Sequence, residues 1–300
     1  MNDDVRSGFT RRDFIRQTTA AAAAAVILTH TDKLACADPA AKSRVVLVRD
    51  EFVLDPEGKI DASLLGLMLD NAVTRLLNVP SPLSAWKKLV QPADVVGVKT
   101  NIWRPLPTPK ELEQHIHKRL LEIGLENRNI SFDDQGVLDN PVFKRATALI
   151  NARPMRSHHW CGVSGCIKNM IMFAPYPPDY HNDSCADLAK LFQLPLVKNK
   201  TRLHILVLLT PLYHGKGPHH FQKQYTWQYK GLLVSQDPVA ADAVGLKILE
   251  AKRRQVFQND EPFIVSPKHI RLADERHHLG NAKMENIELI KLGWGEGILI

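Results

Sequence analysis

Short apolar runs of strand length alternate with longer segments whose apolar residues recur at helical spacing, and this alternation constrains the fold more than any single motif. Residues 44–49 read Arg-Val-Val-Leu-Val-Arg and residues 94–99 read Asp-Val-Val-Gly-Val-Lys. Both are brief and rich in β-branched residues, as buried strands are. Residues 203–209 are the strongest strand signal, and 130–132, 148–150, 229–234 and 286–292 are further strands. Between them, residues 61–77 place Leu64, Leu65, Met68, Leu69, Ala72, Val73 and Leu76 at helical spacing and end before Pro80. A second short helix spans 84–90, with Trp86, Leu89 and Val90 facing inward. Thr108 caps a helix running through 123, with Pro109 at its first position and Glu111 as the capping-box acid. Asp237 caps a helix over 238–254. This order predicts one α/β domain over residues 42–300, with a largely parallel or mixed central sheet flanked by helices.

The N-terminus has a different character. Thr10-Arg11-Arg12-Asp13-Phe14-Ile15-Arg16 precedes an alanine-rich apolar stretch over 20–28, and Ala35-Cys36-Ala37 follows. A charged start, a short apolar run and a small-residue site, in that order, describe a secretory signal. The apolar run is shorter than the roughly 20 residues a membrane span requires. The segment resembles the twin-arginine export signal, with residues 1–37 as the signal peptide and cleavage after Ala37. Lipoprotein processing at Cys36 fits less well, because Lys33 occupies a position where an aliphatic residue is expected. The resemblance implies the twin-arginine translocase as a partner during export, a periplasmic or otherwise exported address, and a chain that folds before crossing. Many such chains acquire a cofactor first.

The formal net charge is +7, with basic residues scattered among acids. Such a surface favours anions in general. No nucleic-acid motif is present, and no segment after the signal is apolar enough to span a membrane. Cleavage leaves Cys161, Cys166 and Cys185. An odd count in an oxidising compartment reads as one disulfide plus a free thiol, or as thiolates held by a metal. A self-contained 4Fe-4S cluster, which takes four cysteines, is not expected.

In α/β sheets, ligands sit beyond the carboxyl ends of the strands. Three strand ends here lead into Lys99-Thr100-Asn101, Asp133-Asp134-Gln135-Gly136 and Arg156-Ser157-His158-His159-Trp160-Cys161. Lys99, Asn101, Asp134, Lys168, Asn169 and Asp242 are the candidates for chemistry on an anionic or carbonyl group. Lys168 at a helix start opposes the dipole, which an anionic partner would relieve. Asp237 reads as an N-cap, and Asp242 as a residue facing the sheet to hold a basic group. His158, His159, Cys161, Cys166, His181 and Cys185 are candidate ligands for a transition metal, zinc, copper or iron. Their spacing is not that of a standard finger. In a helix, Cys161 and Cys166 would stand roughly 140° apart; Gly162 and Gly165 favour a loop instead. A Cys161–Cys166 disulfide, inert buried thiols and surface histidines are the alternatives. Residues 214–220, His-Gly-Lys-Gly-Pro-His-His, read as a flexible surface loop.

Pro154, His158, Gly162-Val163-Ser164-Gly165 and Lys168-Asn169, together with residues 95–101 and the Asp237-Pro238-Val239-Ala240-Ala241-Asp242 stretch, are similar to the motifs of one family. The chain resembles the bacterial and archaeal domain of unknown function number 362 over about residues 44–255. The family's activity is not generally established. Some members carry extra ferredoxin-type cysteine motifs and are described as iron–sulfur proteins, and this chain has no such motif. Nucleotide-binding glycine motifs, the Gly-x-Ser-x-Gly elbow and His-Glu-x-x-His are also missing from the sequence. The expected function is that of an exported protein with a metal- or anion-binding site and a redox-related role. The alternatives are a non-catalytic periplasmic module for an anionic small molecule, or an accessory subunit of a redox enzyme.

Overall fold

The apolar runs pair into one eight-stranded sheet. The computed structural model describes residues 42–300, so the export-signal segment lies outside the described residues. The strands are β1 (Ser43–Arg49), β2 (Val96–Lys99), β3 (Ile130–Asp133), β4 (Ala148–His158), β5 (Gly162–Ser164), β6 (Thr201–Leu212), β7 (Gly231–Ser235) and β8 (Ile287–Gly293). Their order is β3-β2-β4-β6-β7-β1-β8, with β5 paired to β4. β3, β2, β4 and β6 run parallel. β7 runs against both β6 and β1, and β8 is parallel to β1. The expected α/β domain with a mixed, largely parallel sheet is the architecture found.

Helices cover both faces, which is why the strands read as continuous apolar runs rather than alternating ones. One face packs Val46, Val48, Val98, Ile150 and Ile205 against α1 (Ala62–Leu77), α2 (Pro82–Leu89) and α3 (Lys110–Glu122). The other packs Val45, Leu47, Leu149, Leu206 and Leu233 against α4 (Cys166–Asn169), α5 (Pro238–Phe257) and α6 (Lys268–Glu275). Successive strand side chains alternate between faces. Lys99, Asn151 and His204 therefore fall on the α4 and α5 side, next to Val98, Ile150 and Ile205 on the opposite side.

Side-chain caps mark the starts of α1, α2 and α5. The Asp61 side chain accepts from Leu64 N at 2.9 Å, Ser81 from Ser84 N at 3.2 Å, and Asp237 from Val239 N and Ala240 N at 2.8 and 3.0 Å. Thr108 does not cap α3 as expected. The helix begins at Lys110 with Pro109 as N-cap and no side-chain cap. The Thr108 hydroxyl is buried; it accepts from Asn101 N and donates to Ala152 O, each at 2.9 Å, and so ties the loop after β2 to β4. β4 is also longer than the 148–150 run predicts. Asn151, Arg153, Arg156, Ser157 and His158 interrupt the apolar pattern yet are all buried in the strand. Among the described residues, no helix is long and apolar enough to cross a membrane.

Candidate functional site

The parallel run of β3, β2 and β4 brings their carboxyl ends to one edge, and the side chains predicted there meet. The Lys99 ammonium forms an ion pair with Asp134 and donates to Thr100 O at 2.8 Å. The second Asp134 oxygen accepts from Ile102 N at 2.9 Å. Lys99 is fully buried, and the loss of hydration pushes its pKa down to about 8 against the opposing pull of Asp134. Asn101 Oδ1 accepts from Arg156 Nη1 at 2.9 Å, and the Arg156 guanidinium lies 4.3 Å over the Trp103 ring. Asn169 donates to Asn151 Oδ1 at 2.7 Å and to Lys99 O at 3.3 Å. Asn151 in turn reaches Cys166 O at 2.9 Å and His204 Nδ1 at 3.0 Å. Burial pushes His204 down to about 3, so its ring is a neutral acceptor.

Asp242 sits across from this network on α5. Its carboxylate accepts the backbone N–H groups of Cys166 and Ile167 at 2.6 and 2.9 Å. Burial raises its pKa to about 6, and these two hydrogen bonds work against that rise. Asp242 thus supplies the negative charge at the start of α4 from within the chain. Asp242 was expected to hold a basic group; its direct partners are instead these two backbone N–H groups. Gly165 makes the approach feasible, because a Cβ there would overlap Asp242 Oδ1. Lys168 is the third residue of the four-residue α4 and is buried. Its ammonium lies 2.6 Å from His181 Nε2, and among the described residues it has no carboxylate partner. Burial lowers the Lys168 pKa, and burial together with Lys168 takes His181 down to about 4. A buried amine beside an imidazole has the chemistry to exchange a proton with a bound group.

The edge holds more positive than negative charge. Lys99, Arg153, Arg156 and Lys168 are buried there, against the buried carboxylates Asp134 and Asp242. Arg153 donates from Nε to Pro154 O at 3.2 Å, while Arg153 Nη2 and Arg156 Nε have no hydrogen-bond partner among the described residues. Burial lowers the pKa of both guanidinium groups. The β4 register against β6 is irregular between Pro154 and Arg156, so the strict alternation of faces breaks where the second arginine emerges. Buried, unpaired donors on a cation cost several kcal/mol unless something fills them. The set is chemically suited to receiving an anion.

The six candidate metal ligands fall in different places. His158 stacks on His159 with ring centroids 4.8 Å apart, and Trp160 N donates to His158 Nδ1 at 3.2 Å. Burial and neighbouring cations push the His158 pKa far down. Trp160 packs on His181 at 4.1 Å and His219 on His159 at 4.4 Å. The 214–220 segment expected to be a flexible loop is therefore packed onto this aromatic cluster, and the neighbouring Phe221 contacts Trp103 at 5.6 Å. Cys161 and Cys185 meet at the turn before β5, whereas Cys166 lies against Asp242. Among the described residues, no group of three or more His, Cys, Asp or Glu side chains is arranged to hold a metal ion. Among the described residues Cys161, Cys166 and Cys185 are all free, and the Cys161–Cys166 pairing considered from the sequence is not formed. The extended β5 separates the two residues, and Cys166 turns into the start of α4.

Sequence reasoning missed Asn151, Arg153 and His204. The signal was available: residues 151 and 153 share a strand face by their spacing of two. It was hidden because polar residues ended the apparent apolar run.

Residues 136–247 match the family model described as Domain of unknown function (DUF362). The matched region takes in β4, β5, α4, β6, β7 and the first half of α5, and so includes Arg153, Arg156, Lys168, Asn169 and Asp242. The resemblance read from the sequence was broader, and the 95–101 segment with Lys99 and Asn101 lies outside the match. No curated protein and no solved structure matches the chain.

Proposed function

We propose that this protein binds an anionic small molecule, bearing a carboxylate or phosphate, at the sheet edge formed by β2, β4 and α4. The observation that carries this reading is the pair of unpartnered buried guanidinium nitrogens, Arg153 Nη2 and Arg156 Nε, in a cluster with more cations than carboxylates. Guanidinium groups suit this role because their planar fork of donors matches carboxylate and phosphate oxygens. Asn101 and Trp103 hold the Arg156 fork from two sides, so little side-chain freedom is left to lose when an anion arrives.

Thermal unfolding of the full chain tests this. Sodium phosphate, sulfate, malonate and pyruvate are compared with sodium chloride at equal ionic strength. At least one should raise Tm saturably, by about 5 °C or more well above its Kd, and Arg156→Gln should abolish the rise. Equal Tm in all five salts would remove the reading.

We propose further that the protein works outside the cytoplasm, on the strength of the signal-like residues 10–37. Cell fractionation with mass analysis of the native chain should find an N-terminus at Asp38 in the exported fraction. An intact Met1 chain confined to the cytoplasm would overturn it. The six histidine and cysteine candidates form no metal-holding group of three among the described residues. Elemental analysis of untagged protein decides whether zinc, copper or iron is bound at stoichiometric level.

A further inference from the structure

Two of the three thiols among the described residues stand together, apart from the proposed anion site. Cys161 Sγ donates to Val163 O at 2.9 Å, and Cys185 Sγ to Trp160 O at 3.6 Å. Both sulfurs are thus tied to the same tight turn, on either side of the Trp160–Cys161 peptide. The two sulfurs are near enough to act on each other's ionisation. Cys166 stands apart from the pair, at the start of α4 with its backbone N–H held by Asp242.

The backbone around Cys185 is shaped for this meeting. Asp183, Ser184 and Cys185 have consecutive φ values of 48°, 54° and 63°. Three non-glycine residues in the left-handed region cost free energy, and the surrounding structure must hold them there. The Lys268–Asp183 ion pair at 2.5 Å fastens the turn to α6. Trp160 packs on His181 at 4.1 Å and fastens its other side to the 158–161 segment.

We propose that Cys161 and Cys185 form a reversible disulfide, made by thiol–disulfide exchange with a small-molecule or protein disulfide. Cys185 loses its proton and its thiolate attacks one sulfur of the incoming disulfide. One S–S bond forms and one breaks, and the partner leaves as a thiolate. Cys161 then loses its proton and displaces the second partner thiolate from Cys185. The two protein thiols are oxidised, the incoming disulfide is reduced to two thiols, and the two protons pass to those products. Cys185 is the attacking residue because it sits on the short 182–185 turn, whereas Cys161 is held in the turn between β4 and β5. Both sulfurs are buried in the folded chain, so exchange takes place while the 177–185 segment is undocked, during folding or local opening.

The full chain is equilibrated with oxidised glutathione, blocked with N-ethylmaleimide under denaturing conditions, digested, and mapped by mass spectrometry with and without reductant. The expected product links Cys161 to Cys185 and leaves Cys166 alkylated. The bond closes a loop of about 25 residues, and the oxidised form should melt about 5–10 °C above the reduced one. Cys185→Ser should erase that difference, and Cys166→Ser should preserve it. Recovery of Cys161 and Cys185 unlinked, or linked instead to Cys166 or Cys36, would overturn the proposal.

Discussion

The Asp242 carboxylate accepts the Cys166 backbone N–H at 2.6 Å and so joins the second turn of α5 to the first residue of α4. The Ile167 N–H is held by the same carboxylate. Removing it leaves two buried donors without partners. Asp242→Ala should cost about 2–5 kcal/mol in denaturant unfolding. Asp242→Asn keeps one acceptor and turns a donor toward the other N–H, and should fall between the wild type and the alanine variant. Wild-type stability in Asp242→Ala would show that water replaces the carboxylate.

Gly165→Ala places a methyl group against the same carboxylate oxygen. A loss of about 2–4 kcal/mol is expected, since neither the strand face behind Gly165 nor α5 can withdraw freely. The double variant Gly165→Ala with Asp242→Ala should lose clearly less than the sum of the two. Strict additivity in urea melts would mean that the two positions do not share one contact.

Lys99 titrates in the folded chain at about 8, below its ordinary value of 10.5. Between these values the unfolded chain binds a proton that the folded chain does not. The stability contributed by this group therefore rises as pH increases from about 8 to 10.5. Stability curves at pH 7.5, 9 and 10 should show this rise in the wild type, and Lys99→Met should lack it. Lys99→Met should also cost about 3–5 kcal/mol at pH 7, because Asp134 is left buried without its cation.

His204 and His269 are fully buried, and burial holds both near 3. Below pH 6.5 the unfolded chain takes up protons at these positions while the folded chain does not, so their contribution to stability is lost as pH falls from 6.5 toward 3. Asp242 acts in the opposite sense. Its folded value near 6 lets the folded chain bind a proton first as pH falls through 6, which adds stability down to about 4. With both histidines present, unfolding free energy should decline through the pH 6.5–4 window, and His204→Gln should flatten the decline. A curve that rises on acidification across the whole window would show that Asp242 outweighs the histidines.

The sheet was legible in the sequence because its strands are buried on both faces, and runs such as 203–209 carry that burial in plain view. β4 was cut short for the converse reason. Asn151 and Arg153 are buried polar residues whose partners, Asn169, Cys166 and Pro154, come from elsewhere in the fold or from the strand's own irregular end. Nothing in the local pattern reveals such partners. The site was visible as a set of strand ends, and Lys99 with Asp134 and Asn101 with Arg156 do meet there. The division of labour among the cysteines was not visible. Close spacing in sequence paired Cys161 with Cys166, whereas a short strand parts them and a left-handed turn delivers Cys185 instead.

The placement of β1 governs when the molecule can be completed. This strand is the first of the sheet in the chain, yet its two neighbours are β7 and β8. As the chain leaves the ribosome, residues 43–49 have no lateral partner until residues 231–235 and 287–293 have been made. The half of the sheet that contains β1 therefore assembles only at the end of synthesis. Until then an apolar strand with two open edges must be kept from other chains, so a general chaperone should raise the yield of folded protein and slow translation of the last third should lower it.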